Sequence, residues 1–244
     1  MGTEAHTVNP AVVAALKNRD KAVRLAAVRA LRQICYIGGA VEPDPVQARA
    51  ALAALIATMK EDTSPEVKAE AATAIARMGR ATRPVLEALG EAIKDGHQDL
   101  RISALRAIRV IGPGAKSLVP ALEKALQERD ENTRLEALRA LGGIGTDAEA
   151  AVPSMIQLLA NRAYHIPVAE ALANIGPPAV GPLTGTLGLG NPKWEVRLGA
   201  TLCLAQLGSE AKPALRVLNA HATLDDNTEV RKAALDAVKK IQGG

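Results

Sequence analysis

Residues able to do chemistry are few in this chain, and none stands at a spacing that chemistry requires. Four histidines, His6, His97, His165 and His221, are dispersed, with no His-x-x-His or His-x-x-x-His pair and no cysteine near any of them. A zinc site needs such clustered ligands, so no metal and no other cofactor is expected. Cys35 and Cys203 each lie in an apolar helical pattern and read as buried free thiols. Their number excludes a disulfide framework. The segment Gly185-Thr-Leu-Gly-Leu-Gly190 is glycine-rich, yet no strand precedes it and no Gly-Lys-Ser/Thr follows, so it is not a phosphate loop. Nor does any serine or cysteine sit in a nucleophile elbow. The sequence nominates no catalytic residue.

The elements that would have to position such residues are helices throughout. Apolar residues make up 48% of the 244, but aromatics only 1%: Tyr36, Tyr164 and Trp194, with no phenylalanine. Alanine and leucine fill the core instead, and both favour helix over strand. A β-sandwich would need more valine, isoleucine, threonine and aromatic side chains. The formal charge is +4, too mild to demand a polyanionic partner. It is unevenly placed: residues 1–140 hold 21 Lys and Arg against 17 Asp and Glu, while residues 141–244 hold 9 of each. No apolar run has the length to span a bilayer. The first residues lack a basic region followed by an apolar one, and His6 stands where myristoylation wants Ser or Thr. A reducing, cytoplasmic setting is expected.

One phrase recurs along the chain. A small hydrophobe and a basic residue are followed by Ala and Leu at helical spacing, then by Ile-Gly or its equivalent. The basic positions are 24, 68, 101, 134, 165, 197 and 231, separated by 44, 33, 33, 31, 32 and 34 residues. Each unit reads as a helical hairpin. A proline marks the start of the first helix, where its missing N–H costs no hydrogen bond. Glycine stops the second helix. Units are expected at 10–35, 45–79, 83–112, 116–145, 149–176, 179–208 and 210–242. Six residues before each basic position stand Asn18, Asp62, Asp95, Glu128, Leu159, Asn191 and Asp225, mostly acids or amides. These acceptors, with an arginine at the next helix start, predict a ladder linking successive turns. Each exposed or half-exposed pair would contribute at most ~1 kcal/mol.

Phrases such as Asp95-(x5)-Arg101-Ile-Ser-Ala-Leu-Arg-Ala-Ile-Arg-Val-Ile-Gly112 resemble the HEAT-repeat family, and the likeness runs from about Pro10 to Gln242. The short interval is similar to the bacterial variety first noted in phycobilin lyases. A single unit cannot bury its apolar faces, so neighbours must stack. The fold class expected is all-α: an α-α superhelix, or solenoid, of about seven HEAT-like hairpins in one domain. The resemblance implies that the second helix of each unit lines the concave side.

Offsets +1, +5 and +8 from each basic position fall opposite the apolar stripe. They give Arg29 and Arg32 in unit one, Ile102, Arg106 and Arg109 in unit three, Leu135 and Arg139 in unit four, and Leu198 and Leu202 in unit six. Three readings fit the arginines: a solvated helix face, a docking surface for an acidic or mixed protein partner, and a nucleic-acid interface. Leu198 and Leu202 read either as a landing strip for a partner helix or as side chains covered by a neighbouring turn. The segment from Tyr36 to Pro45 adds about eleven residues beyond the common interval. Leu159 and His165 break the ladder pattern, and glycines 181, 185, 188 and 190 weaken the next helix, which predicts a looser joint at 160–192. The favoured function is a non-enzymatic scaffold or adaptor for a protein partner. Nucleic-acid binding is the alternative, and a bilin-lyase-like or chaperone-type accessory role a weaker one.

Overall fold

A computed structural model describes residues 10–34, 45–78, 81–188 and 191–243. His6, Cys35, Tyr36, the rest of the added segment through Asp44, and Gly190 lie outside the described residues. Among the described residues the repeated phrase folds as seven hairpins, each with a first and a second α-helix. The first helices are α1 (Pro10–Ala15), α3 (Pro45–Glu61), α5 (Arg83–Ala92), α7 (Val119–Ala125), α9 (Val152–Gln157), α11 (Val180–Thr186) and α13 (Leu215–Leu224). The second helices are α2 (Lys21–Ile34), α4 (Pro65–Arg77), α6 (Gln98–Ile111), α8 (Glu131–Ile144), α10 (His165–Ile175), α12 (Trp194–Leu207) and α14 (Thr228–Gly243). The described residues include no strand, and the fold is an all-α solenoid.

Prolines open helices largely as their positions predict. Pro65 starts α4, and Pro84 and Pro153 stand in the first turns of α5 and α9. Pro213 differs: it lies inside the 3-10 segment Gly208–Ala214, and α13 begins after it. Four of the second helices end on backbone that favours glycine. Gly112, Gly145, Gly176 and Gly208 have φ of 67°, 74°, 81° and 59°, a conformation in which a Cβ clashes with the backbone. Each of these glycines leads into a 3-10 segment, and the alanine three residues on (Ala115, Ala148, Ala179, Ala211) is fully buried. This Gly-x-x-Ala joint carries the chain to the next hairpin, and the expected glycine stop says nothing of its alanine.

Contacts group the chain into two compact units, Met1–Ala121 and Leu122–Gly244. In the first unit α2 stacks on α4 and α4 on α6; in the second α8, α10, α12 and α14 stack in order. The first helices pack against these rows, as α3 does on α4 and α13 on α14. Alanines Ala71 and Ala104 in the first unit, and Ala137, Ala200 and Ala234 in the second, occupy the same buried position on their second helices. A methyl there lets helix axes approach closely, and the larger side chains four residues on (Ile75, Ile108, Leu141, Leu204) fill the space between. Burying each of the larger side chains stabilises by about 1.5–3 kcal/mol, so each stack is held by the sum of its neighbour contacts.

Candidate binding surface on the second helices

The intra-repeat turns use the ladder residues in three ways. The turn acid or amide folds back on its own chain: Asn18, Asp62, Asp95, Asn191 and Asp225 each accept the N–H two residues on, at 2.8–3.1 Å. Such Asx turns fix the chain reversal. The backbone carbonyl at the same position then accepts from the basic residue six positions later. Arg24 donates to Asn18 O at 3.0 Å, Arg101 to Asp95 O at 2.8 Å, Arg134 to Glu128 O at 2.6 Å and Arg197 to Asn191 O at 2.7 Å.

In two of these arginines the remaining edge of the guanidinium reaches the acid of the following repeat. Arg24 grips Asp62 through Nε and Nη2 at 2.7 and 3.0 Å, and Arg197 grips Asp225 at 2.9 and 2.8 Å. These pairs are more deeply buried than the exposed or half-exposed contacts expected from the sequence. The Arg197 and Asp225 side chains are only 9% and 1% exposed, because adjoining turns close over them. Burial pushes the Asp62 carboxyl up, but the Arg24 hydrogen bond, the Ser64 N–H and the Arg24 charge outweigh it and hold the group below the usual carboxylate range. The same balance holds at Asp225: burial raises it, while Arg197, the Asn227 N–H and His221 bring it well below that range.

The expected weak step at Leu159 and His165 is bridged by other bonds. Asn161 supplies the Asx turn, accepting the Ala163 N–H at 3.0 Å. His165 is buried, with Nε2 3.0 Å from Leu159 O. Arg134 donates Nε–H to the Tyr164 hydroxyl at 2.6 Å and lies over the same ring at 5.4 Å from its centre. Tyr164 thereby takes the place of the missing acid.

A second set of side chains on these helices lies off the ladder. Positions +5 and +9 from each basic residue, one turn apart, face outward. They are Arg29 and Gln33 on α2, Thr73 and Arg77 on α4, and Arg106 and Val110 on α6 in the first unit. In the second unit they are Arg139 and Gly143, Glu170 and Asn174, Leu202 and Gln206, and Asp236 and Lys240. Of these, Thr73 and Gly143 are half-buried and the rest are exposed.

The sequence-derived residues divide accordingly. Arg29, Arg106, Arg109 and Arg139 are exposed, and Arg32 is half-buried. Ile102 and Leu135, at offset +1, are half-buried flank rather than open surface. Leu198 is 6% exposed and belongs to the core, whereas Leu202 is 37% exposed. The apolar strip therefore loses its first member, because packing covers Leu198, although Ile166 at the same offset on α10 is 69% exposed. Sequence reasoning misses the +9 row, including Arg77 and Val110. Its signal is present, since +5 and +9 differ by about one α-helical turn.

Several arginines carry ion pairs. Arg32 Nη1 lies 2.8 Å from Glu70 Oε1, and Arg29 approaches the same oxygen at 4.0 Å. Arg139 pairs with Glu136 on its own helix at 2.9 Å. The surface expected to be a basic stripe therefore includes acids. No group of three or more His, Cys, Asp or Glu side chains among the described residues is placed to hold a metal. A hollow of about 810 Å³ beside α9, α11 and α12 is lined by Ile156, Gln157, Gly185, Asn191 and Lys193 among others, with Lys193 its one ionisable member. Cys203 is buried, which pushes its thiol up to about 12 and keeps it protonated. No helix among the described residues is long and apolar enough to cross a membrane.

Known folds agree with this arrangement. Importin β superposes with a TM-score of 0.68 at 16% identity, covering 95% of this chain and 35% of that one. The karyopherin Kap121p, in a structure with the SUMO protease Ulp1p, gives 0.71 at 15% identity, covering 95% and 28%. An engineered protein gives 0.50 at 22% identity, covering 96% and 98%. The chain thus spans about a third of the importin-type structures it resembles. No curated protein matches it. A family model described as HEAT repeats matches residues 86–166 and 160–239, more than half of the chain. With its stacked hairpins, glycine stops and turn ladder, the chain belongs to the HEAT-repeat family.

Proposed function

We propose that this protein is a non-enzymatic scaffold or adaptor that binds a protein partner through the outward positions of its second helices. The observation that carries the reading is the separation of two arginine sets. One set, Arg24, Arg101, Arg134 and Arg197, is consumed in the turns. The other, Arg29, Arg106 and Arg109 in the first unit and Arg139 in the second, projects from the second helices and is exposed. Kap121p, which shares this fold, is bound to the SUMO protease Ulp1p in its structure, and this supports a protein as the kind of partner. The buried, protonated thiol of Cys203 suits a reducing compartment such as the cytoplasm.

The test is capture of the native partner by the full chain carrying a photocrosslinker at position 106 or at position 87 on α5. Crosslinks from 106, lost on Arg29→Glu with Arg109→Glu, support the reading. Crosslinks confined to position 87 overturn it. Nucleic-acid binding would instead give salt-sensitive retention on duplex or single-stranded DNA with the same arginines required. A bilin-lyase-like role would give a coloured adduct.

A further inference from the structure

The outward row of the first compact unit carries a charge arrangement that narrows the partner, given that the row is the binding surface. Residues 1–121 contain 17 Lys and Arg against 12 Asp and Glu, whereas residues 122–244 contain 13 against 14. On α2, α4 and α6 the positions +5, +8 and +9 supply Arg29, Arg32, Arg77, Arg106 and Arg109, with no carboxylate among the nine. The acids on this side stand earlier along the helices. Glu66 and Asp99 lie in the first turns of α4 and α6, and Glu70 follows one turn after Glu66. A shallow groove between α4 and α6 is lined by Glu66, Glu70, Asp99, Ile102 and Arg106 among others. Lys21 already neutralises Glu66 at 2.5 Å, and Arg32 neutralises Glu70. Positive charge is thus gathered over the C-terminal halves of three adjacent helices, next to Val110, whose surface is 58% exposed.

We infer that this strip binds an acidic peptide segment of the partner, lying across α2, α4 and α6. Packed helices stand ~8–10 Å apart and an extended chain advances ~3.3 Å per residue, so acids about three residues apart meet successive helices. Each guanidinium offers a planar fork of five N–H donors, which matches a carboxylate even where one donor is engaged. Val110 offers an apolar contact beside Arg106 and Arg109. Nucleic acid fits less well. Helices α2, α4 and α6 contain no aromatic side chain on which an unpaired base could stack.

The test uses the full chain and a fluorescent ten-residue peptide with glutamate at every third position, read by anisotropy at low salt. A control peptide has glutamine at those positions, and duplex and single-stranded DNA are run in parallel. The acidic peptide should bind at least tenfold more tightly than the glutamine peptide and more tightly than either DNA. Arg29→Glu with Arg106→Glu should weaken it at least tenfold at unchanged helicity, while Arg216→Glu on α13 changes it less than twofold. Equal binding of the two peptides, tighter binding of DNA, or an unaffected double variant overturns the inference. If the double variant abolishes capture of the native partner although the acidic peptide does not bind, the acidic segment is wrong and the binding row stands. If it leaves both untouched, both fall.

Discussion

Arg197 on α12 holds Asp225, 28 residues later and in the next repeat, with two parallel hydrogen bonds at 2.9 and 2.8 Å. Its third side-chain nitrogen, Nη1, ties back to Asn191 O at 2.7 Å, so one guanidinium joins two consecutive turns. The following residue, Asp226, also contacts Arg197, but from an exposed position.

Arg197→Ala leaves the Asp225 carboxylate buried without its main partner. Loss of one member of a buried pair costs about 3–5 kcal/mol, and thermal unfolding followed by circular dichroism should show a large fall in Tm. Arg197→Ala combined with Asp225→Ala should be less damaging than the arginine change alone. An additive pair of effects would show that the two groups are not coupled.

Acid should loosen the ladder. Asp62 and Asp225 are held below their ordinary range in the fold, and an unfolded aspartate titrates near ~3.9. A depressed folded value means that the stabilisation is present above the unfolded value and is lost as pH falls through the folded one. Tm should therefore drop below about pH 4, and a variant with Asp62→Asn and Asp225→Asn should start lower and fall less steeply. Parallel acid limbs for the two proteins would contradict this.

Tyr164→Phe keeps the ring under Arg134 and removes only the hydroxyl that accepts at 2.6 Å. A hydrogen bond to a charged donor contributes about 1.5–3 kcal/mol, and chemical denaturation should register a loss toward the lower end because Arg134 is only half-buried. No change in the midpoint would mean that Tyr164 contributes packing alone.

Two glycines should fail for different reasons. A Cβ at Gly208 meets nothing within 4 Å, but its φ is 59°, so Gly208→Ala carries a purely conformational cost of about 1–3 kcal/mol. Gly199 lies inside α12, where a Cβ would come within 2.9 Å of Leu159 and 3.0 Å of His165. Gly199→Ala should cost about 1–3 kcal/mol through overpacking. Joining Gly199→Ala to Leu159→Ala should restore part of that loss relative to the sum of the single changes, whereas Gly208→Ala should be indifferent to it.

The hairpins were legible because period, proline and glycine act locally: each needs only its own few residues to dictate helix, start or stop. The ladder was legible as a pattern but not as a set of contacts. Position −6 announced an acceptor, yet only packed neighbours determine that Asp62 and Asp225 are buried and that Tyr164 replaces Leu159. The outward face was half legible. Arg29, Arg106 and Arg139 stand where the helical period puts them, while Leu198 does not, because packing covers offset +1 on α12 though it leaves Ile166, at the same offset on α10, exposed. Glu66 and Glu70 escape a reading by local spacing as companions of Lys21 and Arg32, since those pairs cross from one hairpin to the next.

The division of labour among the arginines bears on how such a chain changes over time. Those that fasten the turns are locked in by geometry and tolerate little drift. Arg29 and Arg106 on the outward row are exposed and stand away from the turns, whereas Arg139 is tied to the buried Glu136. Under the proposed binding role, new specificities are written one hairpin at a time, on a support that does not need to be refolded for each.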